Sequence, residues 1–266
     1  MNKLSFDQLQ LREIFHLEFL AWLGRKLKPE CYVLKGGANL RFFFNSFRYS
    51  EDMDLDVRAV QVYALKDIVM GILNARIFKD SLMPFGIEKI VLPDISKAKQ
   101  TETTQRFKVH LFTVSGEDLF TKVEFSRRGF MNGISIQPVS GTVLRVYKLS
   151  PLLCPHYDAG AAILQKIKAL ALRSATQARD IFDLYILSPQ LELDIIRKRK
   201  EVTRALTEKA MENALGISFQ QFRDVVLAYL SPQDKFIYDQ SEAWDEIKLT
   251  VSDILDKIGK TNAQSI

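Results

Sequence analysis

The chain has 266 residues, 47% hydrophobic and 26% charged, enough for one large domain or two modest ones with a real core. Its formal net charge of +5 is a mild basic excess, compatible with an RNA or nucleotide substrate without pointing to one. No apolar run reaches the roughly 18–20 residues of a membrane span; the opening MNKLSFDQLQLREIFHLEF lacks an apolar signal core, and Cys31 and Cys154 form no metal or disulfide pattern, so no membrane partner and a reduced, cytoplasmic location are expected.

In chain order, residues 6–28 carry Leu, Ile, Phe and Trp at helical spacing. Residues 31–34 then predict a strand, 37–44 a helix and 53–57 a second strand. Helical spacing returns over 62–78, and strands are predicted at 87–92, 107–114 and 121–126. The polar stretch 93–106 (PDISKAKQTETTQR) predicts a mobile hairpin loop. Residues 142–147 predict a last strand.

The character changes near Pro151. Helices are predicted at 159–174, 178–187, 219–230 and 242–258, with a charged stretch running through Asn213, and prolines punctuate the series. The expected fold is α/β (α+β): an N-terminal mixed sheet with flanking helices over 1–150, then a helical domain over 151–266.

The stretch YVLKGGANLRFFFNSFRYSEDMDLD, 32–56, holds the chemistry. Asp52, Asp54 and Asp56 alternate with apolar residues, so on a strand they share one face and repel one another unless a cation sits among them. A hard divalent ion with oxygen ligands is the first candidate. The preceding Gly36-Gly37 turn opens a helix, where backbone N–H groups can hold a phosphate. Asp52 and Asp56 are separated by about 13 Å along a strand, whereas paired catalytic metals sit about 3.5–4 Å apart. One adjacent pair must therefore serve, and Asp52 with Asp54, nearer the glycines, is favoured over Asp54 with Asp56. A solvated strand edge would carry the same pattern.

A two-metal site needs a third carboxylate, and Glu124 is the best candidate. In TKVEFS it shares a strand face with Lys122 and Ser126, though any half-exposed strand alternates this way. In KIKALALRSATQARDIFD, 166–183, cations including Lys166 and Arg173 would bind triphosphate oxygens if they lined a cleft opposite the carboxylates; a solvated helix laced with ion pairs is the other reading. His16, His110 and His156 are isolated, which argues against zinc. The basic run Arg197–Lys200 reads as a wet helix face.

Lys35-Gly36-Gly37, Arg41, Arg48, Ser50, Asp52 and Asp54 resemble the KGG…R…RxSxDxD signature of AbiEii/AbiGii-type nucleotidyltransferases, in the DNA polymerase β-like superfamily. Downstream, Lys166, Ala169, Leu170, Arg173, Arg179, Asp180, Asp183 and Leu184 resemble the family's K…AL..R…RD..DL motif. The resemblance implies Mg²⁺ on Asp52, Asp54 and Glu124, with a two-metal arrangement. It implies NTP contacts from Lys35, Gly36, Gly37, Arg41, Arg48, Ser50, Lys166 and Arg173, with Lys166 and Asp183 counted among the catalytic residues and the helical domain completing the nucleotide cleft. Ala38-Asn39 stands where a Thr or Ser is frequent, and Glu124 where an Asp is often seen. The activity implied is transfer of a nucleotidyl group from NTP to an acceptor hydroxyl, with RNA such as tRNA as acceptor and a cognate antitoxin as partner, in a toxin–antitoxin or phage-defence system. A kinase-like phosphotransferase and a non-catalytic nucleotide-binding regulator are the alternatives.

Overall fold

Asp7 opens the first helix: its carboxylate accepts from the Gln10 amide at 2.9 Å while Gln10 Oε1 accepts from the Asp7 amide, a reciprocal cap. Helix α1 (Gln8–Gly24) then buries Ile14, Phe15, Phe19 and Leu20 on several sides. The computed structural model describes residues 6–191 and 201–261. These fall into two compact units. One runs to Phe43 and resumes over Tyr49–His156; the other takes Phe44–Arg48 and the described residues from Tyr157 onward.

The first unit is built on a seven-stranded mixed sheet. Its strands are β1 (Tyr32–Lys35), β2 (Asp52–Val57), β3 (Ile87–Val91), β4 (Thr104–Thr113), β5 (Asp118–Ser126), β6 (Ile134–Pro138) and β7 (Leu153–Tyr157), in the spatial order β3-β4-β5-β2-β1-β7-β6. Strand β2 runs parallel to β5 and β1 parallel to β7, while β1–β2, β3–β4 and β4–β5 are antiparallel. Strict alternation drives Met53, Leu55, Phe107, Val109, Leu111, Val123 and Phe125 into the core. Helix α1 packs here with α3 (Val62–Asn74) and α4 (Arg76–Leu82). Phe78 is the shared wedge, its ring 6.0 Å from those of Phe15 and Trp22. Helix α2 (Gly36–Phe43) follows β1 without an intervening loop.

The mixed α/β class is as expected, but several elements differ. The predicted strand at 142–147 is helix α5 (Gly141–Tyr147). Its β-branched residues suggest a strand, yet Val143, Leu144 and Tyr147 are buried at helical spacing, and Lys148 closes the helix at φ 56°. Tertiary burial outweighs local β propensity there. The predicted helix at 62–78 breaks at Ala75, whose extended backbone (ψ 127°) ends α3 and starts α4. Strands β6 and β7 have no counterpart among the predicted elements: β6 is a largely exposed strand at the sheet's edge, and β7 contains Pro155, a residue read as punctuation. The stretch 93–106 turns on Asp94, whose carboxylate accepts from the Ser96 amide and hydroxyl, and its last residues already belong to β4.

The second unit is helical: α6 (Ala159–Leu172), α7 (Ala178–Leu187), α8 (Arg204–Leu215), α9 (Phe219–Val225), α10 (Pro232–Tyr238) and α11 (Ser241–Thr261). Helix α8 packs on α6 and α11, and α7 on α6, α9 and α11. Trp244 is fully buried, stacked on Phe222 at 4.4 Å, with its indole N–H donating to the Ile217 carbonyl. Phe182 meets Phe222 on one side and Phe47 on another, which anchors the Phe44–Arg48 segment in this unit. The basic run Arg197–Lys200 lies outside the described residues.

Candidate active site

Strands β2 and β5 lie in parallel register with Asp52 beside Lys122 and Asp54 beside Glu124. The three predicted ligands Asp52, Asp54 and Glu124 therefore share the face opposite the core. Lys122 Nζ is 2.9 Å from Asp52 Oδ2 and 3.9 Å from Glu124 Oε2, and Arg106 on β4 donates to Glu124 Oε2 at 2.7 Å. Asp52 Oδ1 is buried and has no hydrogen-bond partner among the described residues. Burial pushes Asp54 above the usual carboxylate range; Lys35 and Lys122 pull against it, while Asp52 and Glu124 add to the rise. Asp56, the next acid on the same strand face, pairs with the Lys35 ammonium at 2.6 Å.

The backbone that carries these acids is pinned. Ser50 Oγ donates to the Asp52 carbonyl at 2.7 Å, and Thr121 Oγ1 donates to the Glu51 carbonyl at 2.7 Å. With its proton used there, the Thr121 oxygen accepts from His16 Nε2 at 2.8 Å. Burial, with the Arg12 charge beside it, lowers the His16 pKa to about 3, so the ring stays neutral and fits this donor role. Gly36 has φ +69°, and a Cβ there would fall 2.9 Å from Asp54 Oδ2. Only glycine lets the turn come this close to the carboxylate.

Other predicted contacts are engaged in the protein's own interactions. Arg41 forms a two-pronged pair with buried Glu13, at 2.6 and 3.2 Å, and lies over the Tyr49 ring at 4.2 Å. Tyr147 donates to the same Glu13 at 2.5 Å. Asn39, in place of a Thr or Ser, is fully buried, with Oδ1 3.1 Å from His156 Nδ1.

The second unit holds a network of its own. Asp183 is fully buried and accepts from Arg48 at 2.9–3.1 Å, with Lys166 Nζ 2.5 Å from its other oxygen. Lys166 also reaches Asp180 at 2.9 Å, and Arg173 pairs with Asp180 from a side chain 44% exposed. Burial alone would raise Asp183; Arg48 and Lys166 outweigh it and hold the carboxylate below its usual range. Burial likewise opposes the Lys166 charge, but Asp180 and Asp183 prevail and raise its pKa. Among the described residues three cations meet two carboxylates in this network, and Arg173 is the most exposed of them.

The AbiEii family, described as the nucleotidyl transferase AbiEii toxin of type IV toxin–antitoxin systems, matches residues 18–258. The chain belongs to this family. It is accordingly a nucleotidyltransferase, in a family of toxins that act with an antitoxin and a nucleotide substrate. Solved structures with a similar fold include two that are named for their source. One is JHP933 from Helicobacter pylori, at 19% identity and TM-score 0.56, with 98% of this chain and 95% of that chain covered. The other is the nucleotidyltransferase toxin MenT4 from Mycobacterium tuberculosis, at 14% identity and TM-score 0.61, covering 94% and 84%. No curated protein matches the chain. Among the described residues, no helix is long and apolar enough to cross a membrane.

Among the same residues, no three His, Cys, Asp or Glu side chains converge into a ready-made metal cage. The donor chemistry nonetheless fits magnesium, which is bound through one or two carboxylates plus substrate phosphates rather than by an all-protein cage. The unpartnered Asp52 oxygen and the Lys122 ammonium lodged beside the acids mark where positive charge is wanted. Sequence reasoning missed Lys122, Thr121 and His16 as parts of this AbiEii site. Alternation did place Lys122 with Glu124, but His16 approaches from a distant helix and leaves no local signal.

Proposed function

We propose that this toxin transfers a nucleotidyl group from a magnesium-bound NTP to an acceptor hydroxyl on RNA. The observation that carries the reading is Asp54: a carboxylate pressed against a left-handed glycine turn, flanked by Asp52 and Glu124, and destabilised in its charged form. Asp52 and Asp54, with Glu124, would hold the metal. What magnesium supplies when bound is neutralisation of charge at the α-phosphate and a lower pKa for the attacking hydroxyl.

In the reaction a bond forms between the acceptor oxygen and the α-phosphorus as the bond to the β-phosphate bridge breaks, releasing pyrophosphate. Gly36 and Gly37 contribute a turn open enough for a phosphate to approach. Lys166 and Arg173 are assigned to the triphosphate on the family resemblance, Arg173 from a side chain that stays partly exposed. Asp183 orients Lys166 and neutralises Arg48. Arg41 and Arg48, both held in ion pairs, act by positioning α2 and the segment before β2. Lys35 acts through Asp56 at the end of β1.

The test is incubation with total RNA and each NTP labelled at the α- or the γ-phosphate. Label from α alone, lost in Asp52→Asn and Asp54→Asn, is the expected result. Label from γ alone would establish a phosphotransferase instead. Growth inhibition that survives both substitutions, with no label transferred, would make the protein a nucleotide-binding regulator.

A further inference from the structure

The sheet carries a second feature on the same side as the carboxylates. Strands β3, β4 and β5 present their outward-facing residues to solvent: Lys89 pairs across to Phe112, His110 to Phe120 and Lys108 to Lys122. The His110 and Phe120 rings meet edge to face at 5.5 Å, and both rings and Phe112 are only partly covered. Aromatic rings on the wet face of a sheet gain little from burial, whereas Phe107, Val109, Leu111 and Val123 on the other face carry the core.

The charges on this face are arranged at a cost. Lys108 stands directly opposite Lys122, and like charges across an antiparallel pair repel. Lys122 has Asp52 as partner and His110 has Asp118, whose carboxylate lies opposite Phe112 on this face, but exposed Lys108 and Lys89 form no ion pair among the described residues. Cations interleaved with partly exposed rings suit a polyanion with free aromatic faces. A single-stranded nucleic acid has both, since its phosphates need cations and its bases stack on aromatic side chains. In a duplex the base faces are already stacked on one another.

We propose that this surface, with Lys89, Lys108, His110, Phe112 and Phe120, is the track for a single-stranded end of the RNA acceptor. The assignment rests on the reading that RNA is the acceptor. Phe120 and Glu124 are separated by roughly 13 Å along β5, so a strand lying on the rings delivers its terminal hydroxyl to the acids.

The experiment uses the full chain, a fluorescent single-stranded RNA oligonucleotide, and the variants Phe120→Ala and Lys89→Ala/Lys108→Ala. Anisotropy is expected to show about tenfold weaker binding for Phe120→Ala, the scale of one lost base stack. The double lysine variant should lower the slope of log affinity against log salt by about 0.7 per residue. In both, transfer of α-label to RNA should fall at low RNA and recover at saturating RNA, while melting temperature and NTP binding stay at wild-type values. Unchanged affinity and labelling in both variants would overturn the proposal while leaving RNA nucleotidylation intact, as would duplex RNA competing equally well. If wild-type protein neither binds nor labels RNA, the acceptor reading falls and this track with it.

Discussion

Two clusters of opposite charge in this molecule are built to different ends. On the α6/α7 side, Asp183 and Asp180 are saturated by Arg48, Lys166 and Arg173 at hydrogen-bond distances, and Asp183 is stabilised as an anion. On the β2/β5 face, Asp52 keeps a buried oxygen with no hydrogen-bond partner among the described residues and Asp54 is destabilised as an anion, although Lys35, Lys122 and Arg106 are close by. In the first cluster both carboxylates are paired and contribute to folding, while Arg173 keeps an exposed face. The second is short of positive charge, which is what a site for a metal-bound triphosphate requires before its ligand arrives. Partial satisfaction, rather than the number of charges, separates them.

The sharpest way to break this comparison is Asp54→Asn. Label transfer should drop about a thousandfold, the upper range for removing one charge-stabilising group. In metal-free protein the melting temperature should hold or rise, because a costly buried charge is gone. A fall of several degrees would mean that Asp54 is structural after all.

Asp183→Asn is the mirror case. It leaves Arg48 and Lys166 buried with too little negative charge and should cost about 3–5 kcal/mol, read by urea unfolding. The pH dependence follows the same sign. Because the folded-state pKa of Asp183 is depressed, its contribution is fully present above the unfolded carboxylate pKa of about 3.9 and is lost as pH falls through the lower folded value. Acid unfolding of wild-type protein should therefore be steeper than that of Asp183→Asn.

Smaller effects sharpen the contrast further. Gly36→Ala forces a side chain into a left-handed conformation and against Asp54. It should cost about 1–3 kcal/mol and weaken manganese binding, measured by electron paramagnetic resonance. Thr121→Val removes the link between His16 and the Glu51 carbonyl, at about 1–2 kcal/mol. Thr121→Ser should restore most of it, and melting of the two variants decides whether the hydroxyl is the part that matters.

Much of this is legible in the order of residues alone. Period-two alternation sets the acids of β2 on one face with Glu124 able to join them, and the glycine pair announces a close backbone approach. The helix at 141–147 is not legible, because Thr142, Val143 and Val146 favour a strand locally and only burial of Leu144 and Tyr147 reverses that. Nor is the pairing of Lys35 with Asp56 or of Arg41 with Glu13. Both cations of the glycine-turn motif look like phosphate contacts, but a cation beside a glycine turn looks the same in sequence whether it faces a ligand or a neighbouring carboxylate.

By itself, then, the order of residues determined which side chains share a strand face, where helices begin, and which family this nucleotidyltransferase belongs to, since all of these depend on spacing along one backbone. The three-dimensional structure decided which charges are already neutralised. That depends on partners such as His16 and Thr121, or Arg48 and Asp183, which lie 105 and 135 positions apart. Their meeting depends on how the core packs, and no local period records it.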